Sequence, residues 1–245
     1  MAVKTSQSGA RMLSVFEIIA AEQPIGASAV ARLLEEDRSA IQRAIVTLAN
    51  AGWIAPTAER QVRWELSAKL FSLANLPRSS DDLRRRARAV LEHLRDETGE
   101  TAFLAAPDRE GFVVAEVAES RHVLRMAPRV GEPIPASQRA TSRAVLPYYD
   151  PSRQTALLGR SPTRGELADF AASRERGYGV SVGEGHEGAT TIAAPVLDHR
   201  DQPLAALGIT GPSDRLSADR HNTIGRMLAQ CADRLSRGAM VPAPA

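Results

Sequence analysis

The sequence predicts an α+β chain built in two parts and joined by a helix. Three observations predict this. Three short helical patterns and a two-stranded hairpin fill the first 76 residues. A long amphipathic stretch follows at residues 81–98. From residue 100 onward, apolar β-branched runs alternate with helical patterns, as in an antiparallel sheet flanked by helices.

In residues 11–21, Met12, Phe16 and Ile19, with Leu13 and Val15 beside them, recur at helical spacing. Pro24-Ile25-Gly26 breaks the chain. Residues 28–34 read as a second short helix with Val30, Leu33 and Leu34 apolar. Asp37 is placed to cap a third helix that runs to about Ala51, where Gly52 supplies the stop. Ile41, Ala44, Ile45 and Leu48 form its apolar stripe. Ser39, Gln42, Arg43 and Val46 form the opposite one. After Gly52 the period falls to two. Trp53-Ile54-Ala55 reads as one strand, and Val62, Trp64 and Leu66, alternating with Arg63 and Glu65, read as its partner. Three helices and a hairpin in so few residues make a winged helix-turn-helix.

The second part begins after Pro77-Arg78-Ser79-Ser80. Residues 81–98 carry Leu83, Ala87, Val90, Leu91 and Leu94 on one helical face, with Arg84, Arg85, Arg86 and Arg88 around the others. Strands are expected at 101–106, 112–117, 122–126, 189–197 and 204–210. Helices are expected at 151–158, 166–176 and 217–237. The expected division is a DNA-binding domain (1–76), a linker helix (77–99), a larger domain (100–238) and a disordered tail (239–245).

Composition sets limits. Hydrophobic residues are 43% and charged residues 24% of 245, which fits a globular chain. The net charge is +2 and the pI about 9.0. Only Lys4 and Lys69 are lysines, so the basic charge is arginine, which codon bias explains as readily as phosphate binding. Cys231 stands alone, so no internal disulfide forms, in keeping with a reducing compartment. The first ten residues lack an apolar leader, and no stretch approaches the ~20 apolar residues of a membrane span. A cytoplasmic protein with no membrane contact is expected.

The third helix is the first candidate site. A helix entering the major groove needs short polar and arginine side chains on its outer face, and Arg38, Ser39, Gln42, Arg43 and Thr47 supply them. Arginine pairs with guanine or phosphate, glutamine with adenine. The same row also suits an ordinary solvated face; Arg60 and Arg63 in the following hairpin favour double-stranded DNA. For Arg84–Arg86 and Arg88, a solvated face and phosphate contact both stay open.

These residues also carry a resemblance. DRSAIQRAIVTLANAGWI, ELSAKLFSLA and, above all, RERGYGVSVGEGHEGATTIAAPVLDHRDQPLAALGITGP resemble the IclR family of bacterial regulators, over residues 8 to 237. The resemblance implies a GAF-like effector domain, dimers or tetramers, and control by a small molecule. Relatives that take small carboxylic acids carry an acidic residue after the Gly-Tyr turn, Cys or Ser in the IAAPV strand and hydroxyls on the last strand. The matching positions here are Ser181, Thr191, Gly208 and Thr210. The family's HATAxGKALLA loop becomes PASQRATSRAVLPYY, with Thr141, Ser142 and Arg143 as counterparts of its pocket residues. Thr141, Ser142, Arg143, Ser181, Thr191 and Thr210 are therefore the expected effector-binding set. Hydroxyls alone leave a buried carboxylate without a charge partner, so a neutral or weakly charged polar effector, such as an aromatic or carbonyl compound, is expected unless Arg143 pairs with an acid.

Other chemistry finds little support. Gly183-Glu184-Gly185-His186-Glu187-Gly188 matches GxGxxG, but Thr190, Thr191 and Ile192 after it predict a strand, and a dinucleotide site needs a helix there. The five histidines have no HExxH or CxxC partner, no GxSxG occurs, and Cys231 lies on a predicted amphipathic helix. No metal, cofactor or enzymatic activity is expected. The expected function is an effector-controlled, operator-binding regulator, a repressor of a neighbouring catabolic operon, working as a homo-oligomer. The alternative is a small-molecule-binding protein of GAF type without operator binding.

Overall fold

The computed structural model describes residues 6–58, 61–74, 79–137 and 139–237. The chain divides into two compact units, Met1–Pro77 and Arg78–Ala245. The hairpin residue Arg60 and the tail 239–245 lie outside the described residues.

In the first unit, helices α1 (Gln7–Glu22), α2 (Ala27–Leu33) and α3 (Arg38–Asn50) precede strands β1 (Ile54–Pro56) and β2 (Trp64–Leu66). The strands pair antiparallel, Ile54 opposite Leu66. The Asp37 carboxylate accepts the N–H groups of Ser39 at 2.9 Å and Ala40 at 3.1 Å, satisfying two of the free donors that open α3. These hydrogen bonds, the Ser39 hydroxyl first, hold the Asp37 carboxyl below its ordinary range. Val15, Ile19, Val30, Ile41 and Ile45 are fully buried together. Val62, expected in the second strand, lies before it and is exposed. A short helix that the pattern did not announce, α4 (Ala68–Ala74), follows. Its Lys69 ammonium donates to the carbonyl of Ala51 at 2.6 Å and sits over the Trp53 ring, a cation at the negative end of α3.

The second unit opens with α5 (Ser79–Thr98) and is built on six antiparallel strands. In chain order these are β3 (Thr101–Asp108), β4 (Gly111–Ala118), β5 (Pro133–Pro135), β6 (Gly179–Val182), β7 (Ala189–Leu197) and β8 (Pro203–Pro212), lying in the spatial order β5-β4-β3-β8-β7-β6. Helices α6 (Ala140–Val145), α7 (Pro151–Leu158) and α8 (Arg164–Arg176) lie between β5 and β6 in sequence, and α9 (Ala218–Ser236) ends the unit. Strand period divides the core between two faces. Ala102, Leu104, Ile192, Ala194, Leu207 and Ile209 pack with α5 and α9. Phe103, Ala105, Ala193 and Ala206 pack with Ala140, Ala144 and Val145 of α6.

Two expectations are corrected here. Residues 122–126 form no strand, and the edge partner of β4 is β5, over Gly111–Val113. The Leu83, Val90, Leu91 and Leu94 stripe, which its helical spacing also offers as a contact for a second copy of the chain, is buried against the unit's own sheet and α9, so it has no apolar surface left to offer one.

Helix α8 is closed by a reciprocal capping box between Thr163 and Glu166. Hydrogen bonds from Arg160, then from the Thr163 N–H, lower the Glu166 carboxyl from 4.5 to about 2. The stabilisation is therefore present above pH 4.5 and is lost as pH falls toward 2. Glu166→Gln is expected to melt about 1–3 °C below the parent at pH 7, since the pair is near the surface, and level with it at pH 2. A gap that stays constant in melts from pH 7 to pH 2 would refute this linkage.

Candidate nucleic-acid interface and ligand pocket

Helix α3 sorts its residues by side. Ile41, Ala44, Ile45 and Leu48 are buried, and Arg38, Ser39, Gln42, Arg43, Val46 and Thr47 are exposed. The Ser39 hydroxyl accepts from Arg43 at 3.2 Å, and the Thr47 hydroxyl donates to the Arg43 carbonyl at 2.8 Å. The outer row is thus a connected set of polar groups one helical turn apart. Arg63 is exposed just before β2.

The arginines of α5 are engaged inside their own unit. Arg85 pairs with Asp82 at 2.7 Å, Arg88 with Glu92 at 3.0 Å and with Glu116 at 2.8 Å, and Arg86 donates to the Leu235 carbonyl at 3.0 Å. Arg84 lies 3.8 Å from Glu116. These pairings suit an ion-paired, solvated face.

A cavity of about 220 Å³ opens on the α6 side of the sheet. Four of the six expected effector residues line it: Thr141, Ser181, Thr191 and Thr210. Strand register explains the grouping. Ser181 faces Thr191 and Thr191 faces Thr210 across neighbouring strands, so one row of hydroxyls crosses β6, β7 and β8. The Thr191 and Thr210 hydroxyls share a hydrogen bond of 2.9 Å. Phe103, Val114, Met126 and Ile134 supply apolar wall. Gly208 lies opposite Phe103, and a Cβ there would fall 2.4 Å from the ring, so glycine is what lets the ring lie on the sheet beside the cavity.

The other two expected residues are elsewhere. Arg143 does not line the cavity. Its guanidinium donates to Glu184 at 2.7 Å, to the Val180 carbonyl at 2.9 Å and to Asp169 at 3.4 Å. The Glu184 bond and the neighbouring carboxylates raise its pKa against the opposing effect of burial. Burial pushes the Glu184 carboxyl up, but hydrogen bonds from Arg143 and Ser181 outweigh it and hold the group below its ordinary range. Arg143 therefore clasps the β6–β7 hairpin to α6 and α8. The cation in the cavity wall is Arg139, the residue just before α6, which sequence reasoning missed. With it, the argument for a neutral ligand loses its premise.

Ser142 is buried beside a separate cavity of about 20 Å³ that is also lined by Arg139, Arg143, Glu166 and Asp169. Its hydroxyl has no hydrogen-bond partner among the described residues. The volume suits one water. Removing an unpaired buried hydroxyl relieves its desolvation cost, so Ser142→Ala is expected to leave the thermal midpoint unchanged or raise it. A fall of more than about 3 °C, the equivalent of roughly 1 kcal/mol in a unit of this size, would show that the hydroxyl has a stabilising partner.

The GxGxxG segment joins β6 to β7 as a hairpin turn, with no helix after it, which removes the dinucleotide reading. Cys231 is buried on α9, and burial raises its thiol pKa. Among the described residues no group of three metal-ligating side chains comes together, and no helix is long and apolar enough to cross a membrane.

Comparison with known proteins fits this geometry. The chain is 28% identical over 247 residues to the HTH-type transcriptional regulator KdgR of Escherichia coli K12, covering 95% of this chain and 94% of that one. It is 27% identical over 247 residues to the transcriptional repressor IclR of the same organism, covering 94% and 89%. Among solved structures, an IclR homologue from Microbacterium hydrocarbonoxydans, crystallised with 4-hydroxybenzoate, superposes with a TM-score of 0.78 at 20% identity, over 95% of this chain and 98% of that one. The family model described as the bacterial transcriptional regulator IclR C-terminal domain matches residues 78–237. The chain therefore belongs to the IclR family of bacterial transcriptional regulators.

Proposed function

We propose that this regulator binds operator DNA through α3, with the hairpin beside it on the backbone, and that a small organic effector in the 220 Å³ cavity sets its affinity. The observation that carries the reading is the outer face of α3: Arg38, Ser39, Gln42, Arg43 and Thr47 are exposed together on a helix whose other face is fully used by the core. Such a row matches what major-groove base edges offer. One helix reads one half-site, so the working species is a homodimer or a dimer of dimers on a two-fold operator. Repression of a neighbouring catabolic operon is the proposed role, in keeping with the names of its relatives.

The cavity supports the second half of the proposal. It combines apolar wall with a few placed polar groups, the usual build of a small-molecule site. The 4-hydroxybenzoate bound by the Microbacterium homologue makes hydroxylated aromatic acids the first effectors to try. The ligand acts on DNA only if it favours one arrangement of the DNA-binding heads over another.

The test is a gel shift with the DNA flanking the protein's own gene, repeated across a salt series and with 4-hydroxybenzoate added. The expected result is a specific complex that weakens steeply with salt. Light scattering of the free protein is expected to give a dimer or tetramer. A monomer with no preference for that DNA over random sequence would leave a small-molecule-binding protein without an operator.

A further inference from the structure

We propose that Phe103 is the residue that sets the length of the cavity, and that it restricts the site to ligands no larger than a single ring. The inference rests on the cavity being the effector site and adds the size class of what enters it.

Sheet register places the ring. On the α6 side of the sheet, two neighbouring rows of residues cross the strands. The first is the hydroxyl row of Ser181, Thr191 and Thr210, which lines the cavity. The second lies two residues along each strand and consists of Gly179, Ala193 and Gly208, with Phe103 at its β3 end. No side chain on β6, β7 or β8 in this second row is longer than a methyl, so the row is a trough. Helix α6 closes it over β6, where a Cβ at Gly179 would fall 2.5 Å from the Ala140 carbonyl oxygen. The Phe103 ring closes it over β8. A Cβ at Gly208 would lie 2.4 Å from the ring Cζ and 2.6 Å from Cε1, so the ring tip occupies the space that a side chain at 208 would take.

Phe103 is buried in one cluster with Ala140, Ala144 and Ala193, and it also lines the cavity. It is therefore the wall between the cavity and the trough. With the ring in place the cavity holds about 220 Å³, below the roughly 300 Å³ at which pockets for drug-sized ligands begin. Gly208 is not among the glycines with positive φ, so its backbone accepts alanine and only the ring demands glycine. A methyl there displaces the ring, and the open space beside the ring is the cavity. The two positions thus act in opposite directions. Shortening Phe103 lengthens the site, and filling Gly208 shortens it.

The experiment titrates matched one-ring and two-ring compounds into the full chain by calorimetry. The pairs are phenol against 2-naphthol and 4-hydroxybenzoate against 6-hydroxy-2-naphthoate, so that size is read with and without an acid group. Extra apolar area favours the larger member wherever there is room, so a preference for the smaller one reports a wall. The parent protein is expected to prefer the one-ring member by at least about tenfold, the low end of what an apolar pocket achieves against an oversized group. Phe103→Ala is expected to reverse that preference, and Phe103→Leu to reduce it below about threefold. Gly208→Ala is expected to weaken one-ring binding by about fivefold or more, and to have less than about a twofold effect when Phe103 is already leucine. A merely structural loss would weaken both members of a pair alike and leave the ratio unchanged. A parent protein that binds the two-ring members as well as the one-ring members overturns the proposal. So does a one-ring preference that survives in Phe103→Leu, or a Gly208→Ala effect that persists without the ring. In each of these cases binding itself still supports the cavity as the effector site. If no compound binds the parent or any variant, the cavity reading falls together with the size assignment. If Phe103→Ala does not fold, Phe103→Leu and Gly208→Ala decide by the same ratios.

Discussion

Arg43→Ala and Gln42→Ala are each expected to weaken operator binding by about five- to 150-fold, roughly 1–3 kcal/mol, without lowering the melting temperature. Both side chains are exposed, on the face opposite the buried Ile41, Ala44, Ile45 and Leu48, so their removal opens no cavity. Arg43 is also held in place, because it donates to the Ser39 hydroxyl, which in turn bonds to the Asp37 cap. A pre-positioned arginine loses less entropy when it meets a guanine or a phosphate. The two roles can be separated. If Arg43 reads a base, Arg43→Ala flattens the preference at one operator position. If it grips a phosphate, affinity falls equally for all sequences and the slope of log K against log salt drops by about one. Gel shifts over four salt concentrations with a set of single-base operator variants make the distinction. Unchanged affinity in both single variants would move the recognition surface off α3.

The division of α3 into a solvated and a buried face was legible in the sequence because its apolar residues recur with the helical period, and α3 has thirteen residues in which to show it. Helix 151–158 and strand 189–197 were legible for related reasons. Asp150 and Pro151 mark a helix start, and the strand is a run of apolar and β-branched residues without a charge. What escaped was short or locally ambiguous. Helix α6 is six residues of small and polar side chains, buried because β7 and β6 pass beneath it, which no periodic signal announces. Strand β6 is four residues, and β5 is bounded by prolines. The stretch 122–126 has the composition of a strand but does not join the sheet. The misplacement of Arg143 has a similar origin. Two arginines one helical turn apart look equivalent in sequence, and only the positions of Glu184 and Asp169, from other elements, decide which of them is consumed. The arginine run of α5 likewise needed Glu116 of β4 to settle it.

Arg215→Ala is expected to cost about 3 kcal/mol, or roughly 6–12 °C in melting temperature. Glu100 is only 1% exposed, and Arg215 provides its charge partner, with Nη2 at 2.9 Å from Oε2 and Nε on Oε1. The carboxylate is wedged against the backbone of Gly211, where a Cβ would come within 2.4 Å of Oε2. Removing Arg215 therefore leaves a charge without its ion-pair partner in a place with little water. Glu100→Gln separates the charge from the packing. It keeps the shape and a donor for the same space, and leaves the partly exposed Arg215 to water. It is expected to cost less than half as much. The Arg215 guanidinium also donates to the Leu124 carbonyl at 3.0 Å, which ties the 121–125 loop to the same pair. Hydrogen exchange in that loop is expected to rise in Arg215→Ala and to stay near the parent level in Glu100→Gln. A midpoint loss of less than about 2 °C for Arg215→Ala at pH 7 would mean that Glu100 finds water or another donor when its arginine is gone.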